Sequence, residues 1–306
     1  MSWPSFLDLP QVEAAEADLI LLPLPYEGTV SYGQGAALGP EAIWEASTQI
    51  ELWDEQFGVD LSKLRWHTAP AVFPEPNEVA LEYLTRVEKA AAHLNRFDGL
   101  VIGVGGEHSV SLPLVRAACG KNDFSDVTIV QLDAHADLRD TYDDTPCSHA
   151  CAMRRLVERS AKLIAIGIRS VDREEAQFAA DSDRITTFAA RELSADLLPG
   201  ETARESELLE TLRTVRGKVY LTIDIDALEV HLCPATGTPQ PGGLRWWQTI
   251  RYLHALLVEN RECRLIGADL VETVPQPGTR VNEFTAAMLL TKVAALFDTA
   301  SHTKDA

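Results

Sequence analysis

The stretch Asp133-Ala134-His135-Ala136-Asp137 sets two carboxylates and an imidazole at every second position. The apolar run Val127–Leu132 leads straight into it. Strand side chains repeat every two residues, so Asp133, His135 and Asp137 should emerge on one side as the strand ends. Carboxylates converging this closely repel one another unless a cation joins them, so the pattern reads as a divalent-metal site. Solvated acids at a strand end are the plainer alternative. Asp224-Ile225-Asp226 repeats the spacing after the apolar run 218–223. His108, in Gly105-Gly106-Glu107-His108-Ser109, follows the run 99–104, and Glu272 follows the run 264–271. His108, Asp133, His135, Asp137, Asp224 and Asp226 make an oxygen-rich set with two imidazoles, enough for two divalent ions sharing carboxylates. Such donors suit manganese and leave iron, cobalt, nickel and zinc open. Two ions about 3.5–4 Å apart can acidify a shared water, which points to hydrolysis at an electrophilic carbon or phosphorus.

The elements that must position these residues alternate along the chain. Strands are expected at 18–24, 99–104, 127–132, 162–168, 184–188, 218–223 and 264–271. Helices are expected from Pro40 to about residue 50, at 78–97, at 110–118 with Ser109 as cap, and at 153–158 with Ser148 or Asp144 as cap. The last of these would set His149 near a helix start, facing the site. Further helices are expected at 171–180, 204–215, 244–258 and about 282–297, with Trp246 and Trp247 as packing anchors and residues 301–306 frayed. Residues 53–76 read as a loop or short hairpin. Alternation of this kind calls for a parallel sheet with crossover helices, whose strand ends build sites.

With 306 residues, 46% of them apolar, the chain can bury a large core as one big α/β domain or two smaller ones. A formal net charge of -19 argues against nucleic acid and anionic membrane surfaces as partners and is compatible with a cationic substrate. The N-terminal stretch carries Asp8, Glu13 and Glu16, the reverse of a signal peptide, and no apolar run nears the roughly 20 residues of a membrane span. Five cysteines, an odd number without framework spacing, fit reduced thiols and a cytoplasmic protein.

Three segments carry a resemblance. Gly105-Gly106-Glu107-His108-Ser109, Asp133-Ala134-His135-Ala136-Asp137 and Asp224-Ile225-Asp226, followed by the turn 234–243, resemble the three signatures of the ureohydrolase (arginase/agmatinase) family. Ser31-Tyr32, Gly35 and Gly39-Pro40-Glu41-Ala42-Ile43 resemble its N-terminal loop. The likeness spans about residues 18–298, departing at Val230, and reads as a single domain, 1–306, with a short polar tail. It implies a three-layer α/β/α domain with a central, mostly parallel eight-stranded sheet. It also implies two Mn2+ ions per chain, with Ni2+, Co2+ or Zn2+ not excluded, and hydrolysis of a guanidino group to urea and an amine. Asp133 and Asp224 would bridge the ions, His108 and Asp137 would complete one shell, and His135 and Asp226 the other. His149 matches the residue that passes a proton to the leaving amine, and Glu272 the carboxylate that holds the guanidinium.

Ser148-His149-Ala150-Cys151-Ala152-Met153-Arg154-Arg155 resembles agmatinases. The acidic loop before it, with Leu138-Arg139-Asp140 and Asp143-Asp144, lacks the asparagine and serine that arginases carry there. Asp140, Asp143 or Asp144 could attract the ammonium end of agmatine, giving putrescine and urea and a place in polyamine biosynthesis. The counter-reading is that Arg139 grips the carboxylate of a guanidino acid such as 4-guanidinobutyrate, unless it pairs with an acid of the protein. A one-zinc deacetylase-like hydrolase and a non-catalytic, metal-stabilised or regulatory homologue are the readings from other classes. Family analogy also implies a homo-oligomer, trimer or hexamer.

Overall fold

The expected apolar runs become the strands of one sheet in the computed structural model, which describes residues 3, 5–194 and 202–304. The strands are β1 (Leu19–Leu24), the two-residue β2 (Trp53–Asp54) and β3 (Val59–Asp60), β4 (Trp66–Thr68), β5 (Leu100–Gly105), β6 (Val127–Leu132), β7 (Lys162–Ile168), β8 (Ile185–Ala189), β9 (Gly217–Asp224) and β10 (Cys263–Val271). β2 and β3 pair antiparallel as a separate small hairpin. The other eight form a sheet in the order β4-β1-β5-β10-β9-β6-β7-β8, and every pairing in it is parallel. Parallel strands all end at one edge of the sheet, so the four central ones, β5, β10, β9 and β6, deliver their following residues side by side.

Helices cover both faces, because each strand is apolar on both sides. Leu19, Leu21, Ile102, Val130, Leu132, Ile164 and Ile166 face one core layer with Trp44 of α1 (Gly39–Ser47). Ile20, Leu22, Val101, Ile129, Leu163 and Ala165 alternate with them and face the other layer. That second layer holds α2 (Ala80–Leu94), α3 (Ser111–Cys119) and α4 (Ala152–Val157), with Phe178 of α5 (Arg173–Ala180) against it. The first layer is completed by α6 (Ala190–Leu193), α7 (Thr202–Thr214), α8 (Trp246–His254) and α9 (Val281–Lys304). Two glycines permit close approach where the site begins. A Cβ on Gly106 would stand 1.8 Å from the Tyr26 carbonyl oxygen, and one on Gly39 would stand 2.2 Å from that of Thr273.

Several local expectations are corrected. The segment 53–76 holds the expected short hairpin, β2–β3, and in addition β4, an edge strand too short to show a period. Ser109 does not cap α3; a 3-10 turn, His108–Val110, precedes that helix, and the Ser109 hydroxyl donates to Glu107 instead. Ser148 stands before the 3-10 turn His149–Cys151 without a side-chain cap bond, and Asp144 lies in a turn with φ 60°. α8 starts at Trp246 and finishes in a π turn, Ala255–Glu259. Trp246 packs on the core, whereas Trp247 is exposed. The C-terminal helix continues through residue 304 rather than fraying at 301. Its stretch Val281–His302 is long and apolar enough to cross a membrane by composition, which the sequence reading passed over. Most of that stretch is buried, packed on α1 and α8, as a core helix must be.

Candidate metal centre and active site

The residues after β5, β6, β9 and β10 converge on one cavity of about 350 Å³ at the carboxyl edge of the sheet. His108, His135, Asp137, Asp224, Asp226, Glu272 and His149 all line it. Asp133, fully buried, lies directly behind and belongs to both of two clusters: His108, Asp133 and Asp224, and Asp133, His135 and Asp226. His108 Nδ1 stands 3.2 Å from Asp133 Oδ2, 3.0 Å from Asp137 Oδ2 and 3.6 Å from Asp224 Oδ2. His135 Nδ1 stands 3.0 Å from Asp226 Oδ2 and 3.7 Å from Asp133 Oδ1. Neighbouring ligands of an octahedral ion with bonds of about 2.1 Å are about 3 Å apart, so this spacing fits ligands around a cation.

Hydrogen bonds behind the cluster aim the donors inward. Asp224 Oδ1 accepts the Asp226 amide at 2.8 Å and Asp226 Oδ1 accepts the Ala134 amide at 2.9 Å, leaving each Oδ2 for the centre. Asp133 accepts the His135 amide and the Gln131 side-chain amide. His108 Nε2 lies 2.7 Å from Thr222 Oγ1, which donates its only proton to Asp269 Oδ1 at 2.6 Å. Tyr220 donates to the other oxygen of Asp269. Thr222 can then only accept from His108, so in the neutral ring Nε2 carries the proton and Nδ1 the lone pair. That Nδ1 is buried without a hydrogen-bond partner. A buried imidazole nitrogen turned to carboxylates is the atom at which a divalent cation would take the place of a proton.

The electrostatics agree. Burial, then the charges of Asp137 and Asp226, push Asp133 up to about 7. Burial, then Asp226, Asp133 and Glu272, drive Asp224 well above the carboxylate range. Burial raises Glu272 to about 8, with Glu107 adding to it. Asp226 is equally buried but is held low by His135 and by the Ala134 amide. Burial disfavours charge on His108 and His135, yet neighbouring carboxylates outweigh it, holding His108 well above its usual range and His135 at about 9. Protons thus stand where positive charge is missing. Among the described residues, no Lys or Arg nitrogen pairs with any of the four aspartates. Arg169 lies nearest, but its guanidinium donates to the backbone carbonyls of Gly167, Asp226, Leu228, Gln240 and Pro241.

Two of these residues adopt left-handed backbone without being glycine, Asp137 at φ 53° and Glu272 at φ 64°. Such strain persists where the surroundings over-determine it, and here it turns each carboxyl from its strand end into the cavity. Glu272 Oε1 accepts the His108 amide at 2.7 Å, and its own amide donates to the Gly106 carbonyl. His149 is half-buried, with the Tyr142 ring edge-on to it at 5.8 Å.

The loop acids sit elsewhere. Asp140 is exposed and pairs with Arg155 at 2.6 Å. Asp143 and Asp144 are exposed in a turn outside the cavity wall. Arg139 does line the cavity, beside Tyr142, 3.7 Å from Asp172 and 3.8 Å from Glu175. Asp172 and Glu175 therefore are the acids at this end, and sequence reasoning missed them. Their spacing matches a helix capping box, which is what they build at the start of α5, so nothing marked them as site residues. Thr222 and Asp269 had a signal that went unused: each is a polar residue within the buried stretch of its strand.

The comparisons agree with this geometry. The sequence model of the arginase family matches residues 17–296. The chain is similar to N(1)-aminopropylagmatine ureohydrolase of Synechocystis, 35% identical with 91% of this chain and 89% of that protein covered. It is similar to the agmatinase of Pyrococcus horikoshii, 33% identical with 93% of each covered. The crystal structure of agmatine ureohydrolase of Thermoplasma volcanium superposes with a TM-score of 0.79 at 25% identity, covering 95% of this chain and 94% of that one. An eight-stranded parallel sheet flanked by helices, with paired His/Asp clusters at its carboxyl edge, is the arginase-like arrangement, and the chain belongs to the arginase family as a ureohydrolase of its agmatinase-like branch.

Proposed function

We propose that this chain, as a single ureohydrolase domain, hydrolyses agmatine to putrescine and urea. The observation that carries the reading is the shared cavity, in which Glu272 and His149 face the two His/Asp clusters. His108, Asp133, Asp137 and Asp224 would hold one divalent ion, and Asp133, Asp224, His135 and Asp226 a second. The donor set suits Mn2+. Two such ions supply Lewis acidity and an acidified water. Glu272 binds the planar guanidinium by a charge-assisted pair. His149 gives a proton to the departing amine nitrogen, a task for which an imidazole's ordinary range is suited.

The tail end of the cavity carries two carboxylates, Asp172 and Glu175, against one guanidinium, Arg139. Glu175 spends its oxygens on the amides of Leu138 and Asp172, and Asp172 Oδ1 caps Glu174. Asp172 Oδ2 stands 3.7 Å from Arg139, so a substrate ammonium would share it with that guanidinium. Asp140, Asp143 and Asp144 contribute through space only, and Arg139 is already compensated, which disfavours a guanidino acid. A longer amine, N(1)-aminopropylagmatine, is the second reading, supported by the Synechocystis relative and by the half-exposed position of Asp172. Five free cysteines support a cytoplasmic setting. Homo-oligomerisation stays a proposal, to be read from the mass in solution.

The test is urea release by the Mn2+-loaded protein from agmatine, N(1)-aminopropylagmatine and 4-guanidinobutyrate side by side. A higher kcat/KM for agmatine supports the first reading, and a higher value for the longer amine supports the second. Preference for guanidinobutyrate would make Arg139 the tail-binding residue and overturn both.

A further inference from the structure

We infer that Glu107 and Thr29 are positioning residues for His149, fixing which of its ring nitrogens moves the proton. Glu107 is fully buried in the turn after β5. Its Oε2 accepts the Thr29 amide at 2.6 Å, and its Oε1 accepts the Thr29 hydroxyl at 2.7 Å and the Ser109 hydroxyl at 2.6 Å. A threonine hydroxyl has one proton and two lone pairs. The proton of Thr29 is spent on Glu107, so its oxygen faces His149 as an acceptor. It takes the His149 amide at 3.1 Å and lies 3.3 Å from His149 Nδ1. Nδ1 must then be the protonated nitrogen of the neutral ring. Nε2 is left with a lone pair at the cavity, free to take up a proton and hand it on.

Ser148 Oγ, also 3.3 Å from Nδ1, can accept that proton or donate its own, and the Thr29 lone pair facing Nδ1 weighs against the second arrangement. The other titratable or charged groups that share the cavity with the ring are Tyr142, edge-on to it, Arg139 with Asp172 and Glu175, Glu272, and His108, His135, Asp137, Asp224 and Asp226 of the clusters. Thr29 itself is absent from the cavity wall, so it acts through His149 and not on substrate. The hydrogen-bond chain Glu107–Thr29–His149 does for this imidazole what a directly bonded carboxylate does for others, setting the tautomer and stabilising the imidazolium.

The inference rests on the reading that His149 donates the proton to the leaving amine, and its first test does not depend on turnover. Nitrogen-15 NMR of histidine-labelled, metal-free protein resolves tautomers among eight histidines, with His149→Gln identifying the signal. The wild type should rest as the Nδ1–H form. Thr29→Val removes the acceptor, so the Nε2–H form should become populated and the imidazolium should lose its proton at lower pH. Thr29→Ser should restore the wild-type state. Glu107→Gln should act the opposite way on Thr29: the new amide donates to its oxygen, freeing its proton to point at Nδ1 and making Nε2–H dominant.

In the metal-loaded enzyme kcat requires protonated Nε2, so it falls as pH rises through the pKa of His149. Thr29→Val should lower kcat about tenfold with KM within twofold, and shift that alkaline limb to lower pH. A wild-type ring resting as Nε2–H, or a Thr29→Val protein with unchanged tautomer and unchanged limb, overturns the inference and leaves Thr29 as a loop anchor. The predicted tautomers without urea release from any guanidine would uphold it while sinking the proposed function.

Discussion

Two of the regions that bury carboxylates in this molecule balance them in opposite ways. At the carboxyl edge of the sheet, Asp133, Asp137, Asp224 and Asp226 are buried with two imidazoles and, among the described residues, without a paired Lys or Arg. Where the β2–β3 hairpin meets α9, Asp54 is also buried, but Lys292 reaches it at 2.8 Å, both side chains being nearly inaccessible. The rings of Phe57 and Trp247 stand 5.4 and 6.0 Å from the ammonium. Asp54 Oδ1 also accepts the amides of Gln56 and Phe57. One region carries its own cation and is closed; the other is assembled from four strand ends with the cation missing from the chain. The difference teaches that burial alone does not mark a site. A carboxylate cluster marks one when the protein leaves the positive charge to be supplied from outside.

The largest effect should come from Asp133, shared by both clusters. Asp133→Asn should lower kcat at least about a thousandfold, as expected when metal-held electrostatic stabilisation is lost. Mn2+ should raise the Tm of the wild type and EDTA should reverse the rise, and the variant should lose that response. Metal content by plasma spectrometry should drop from two ions per chain. A variant that kept both ions and most of its activity would remove Asp133 from the centre.

Lys292→Met should leave activity per folded molecule unchanged but destabilise the fold by about 3–5 kcal/mol, because Asp54 is left charged and buried. Chemical denaturation measures this. Adding Asp54→Asn, which retains the acceptor for Gln56 and Phe57, should recover much of the loss. Equal losses in the single and double variants would mean that packing of the lysine stem, not its charge, is what counts.

The same contrast predicts a pH dependence. Asp133 has its carboxyl raised to about 7, so the folded metal-free protein binds a proton more tightly than the unfolded chain does. That contribution to stability is complete below about pH 4 and lost as pH rises through 7. His135, raised to about 9, contributes stability that is present below about pH 6.5 and lost as pH rises through 9. Both signs agree: metal-free Tm should fall between pH 5 and 9, while the metal-loaded protein, whose ligands are deprotonated already, should hold steady. Metal affinity should rise over the same window. Scanning calorimetry with and without Mn2+ checks it; parallel curves would count against the raised carboxyls.

The smallest effect concerns the tail. Asp172→Asn should raise the KM for agmatine roughly fivefold with kcat unchanged, as suits a half-exposed charge pair worth about 1 kcal/mol. An Asp143→Asn, Asp144→Asn double variant should leave KM within twofold. The reverse ranking would return ammonium recognition to the acidic loop.

The chemistry of the centre was legible because it is local. Alternating Asp-Ala-His-Ala-Asp after an apolar run forces three donors to one side, and Asp-Ile-Asp does the same. Continuous apolar strands alternating with helical stretches called for a parallel sheet, and so for strand ends at one edge. These features depend on backbone periods of two and 3.6 residues, which any short window of sequence displays. What only the tertiary structure decided depends on which distant segments meet. Strand order put β5, β10, β9 and β6 next to one another, a fact no window contains. It spent Asp140 on Arg155 and brought Asp172 and Glu175 of a capping box to the cavity instead. It laid Thr29 between Glu107, 78 residues away, and His149, 120 residues away. Donor types and spacing set what the site can hold; long-range packing set which proton goes where.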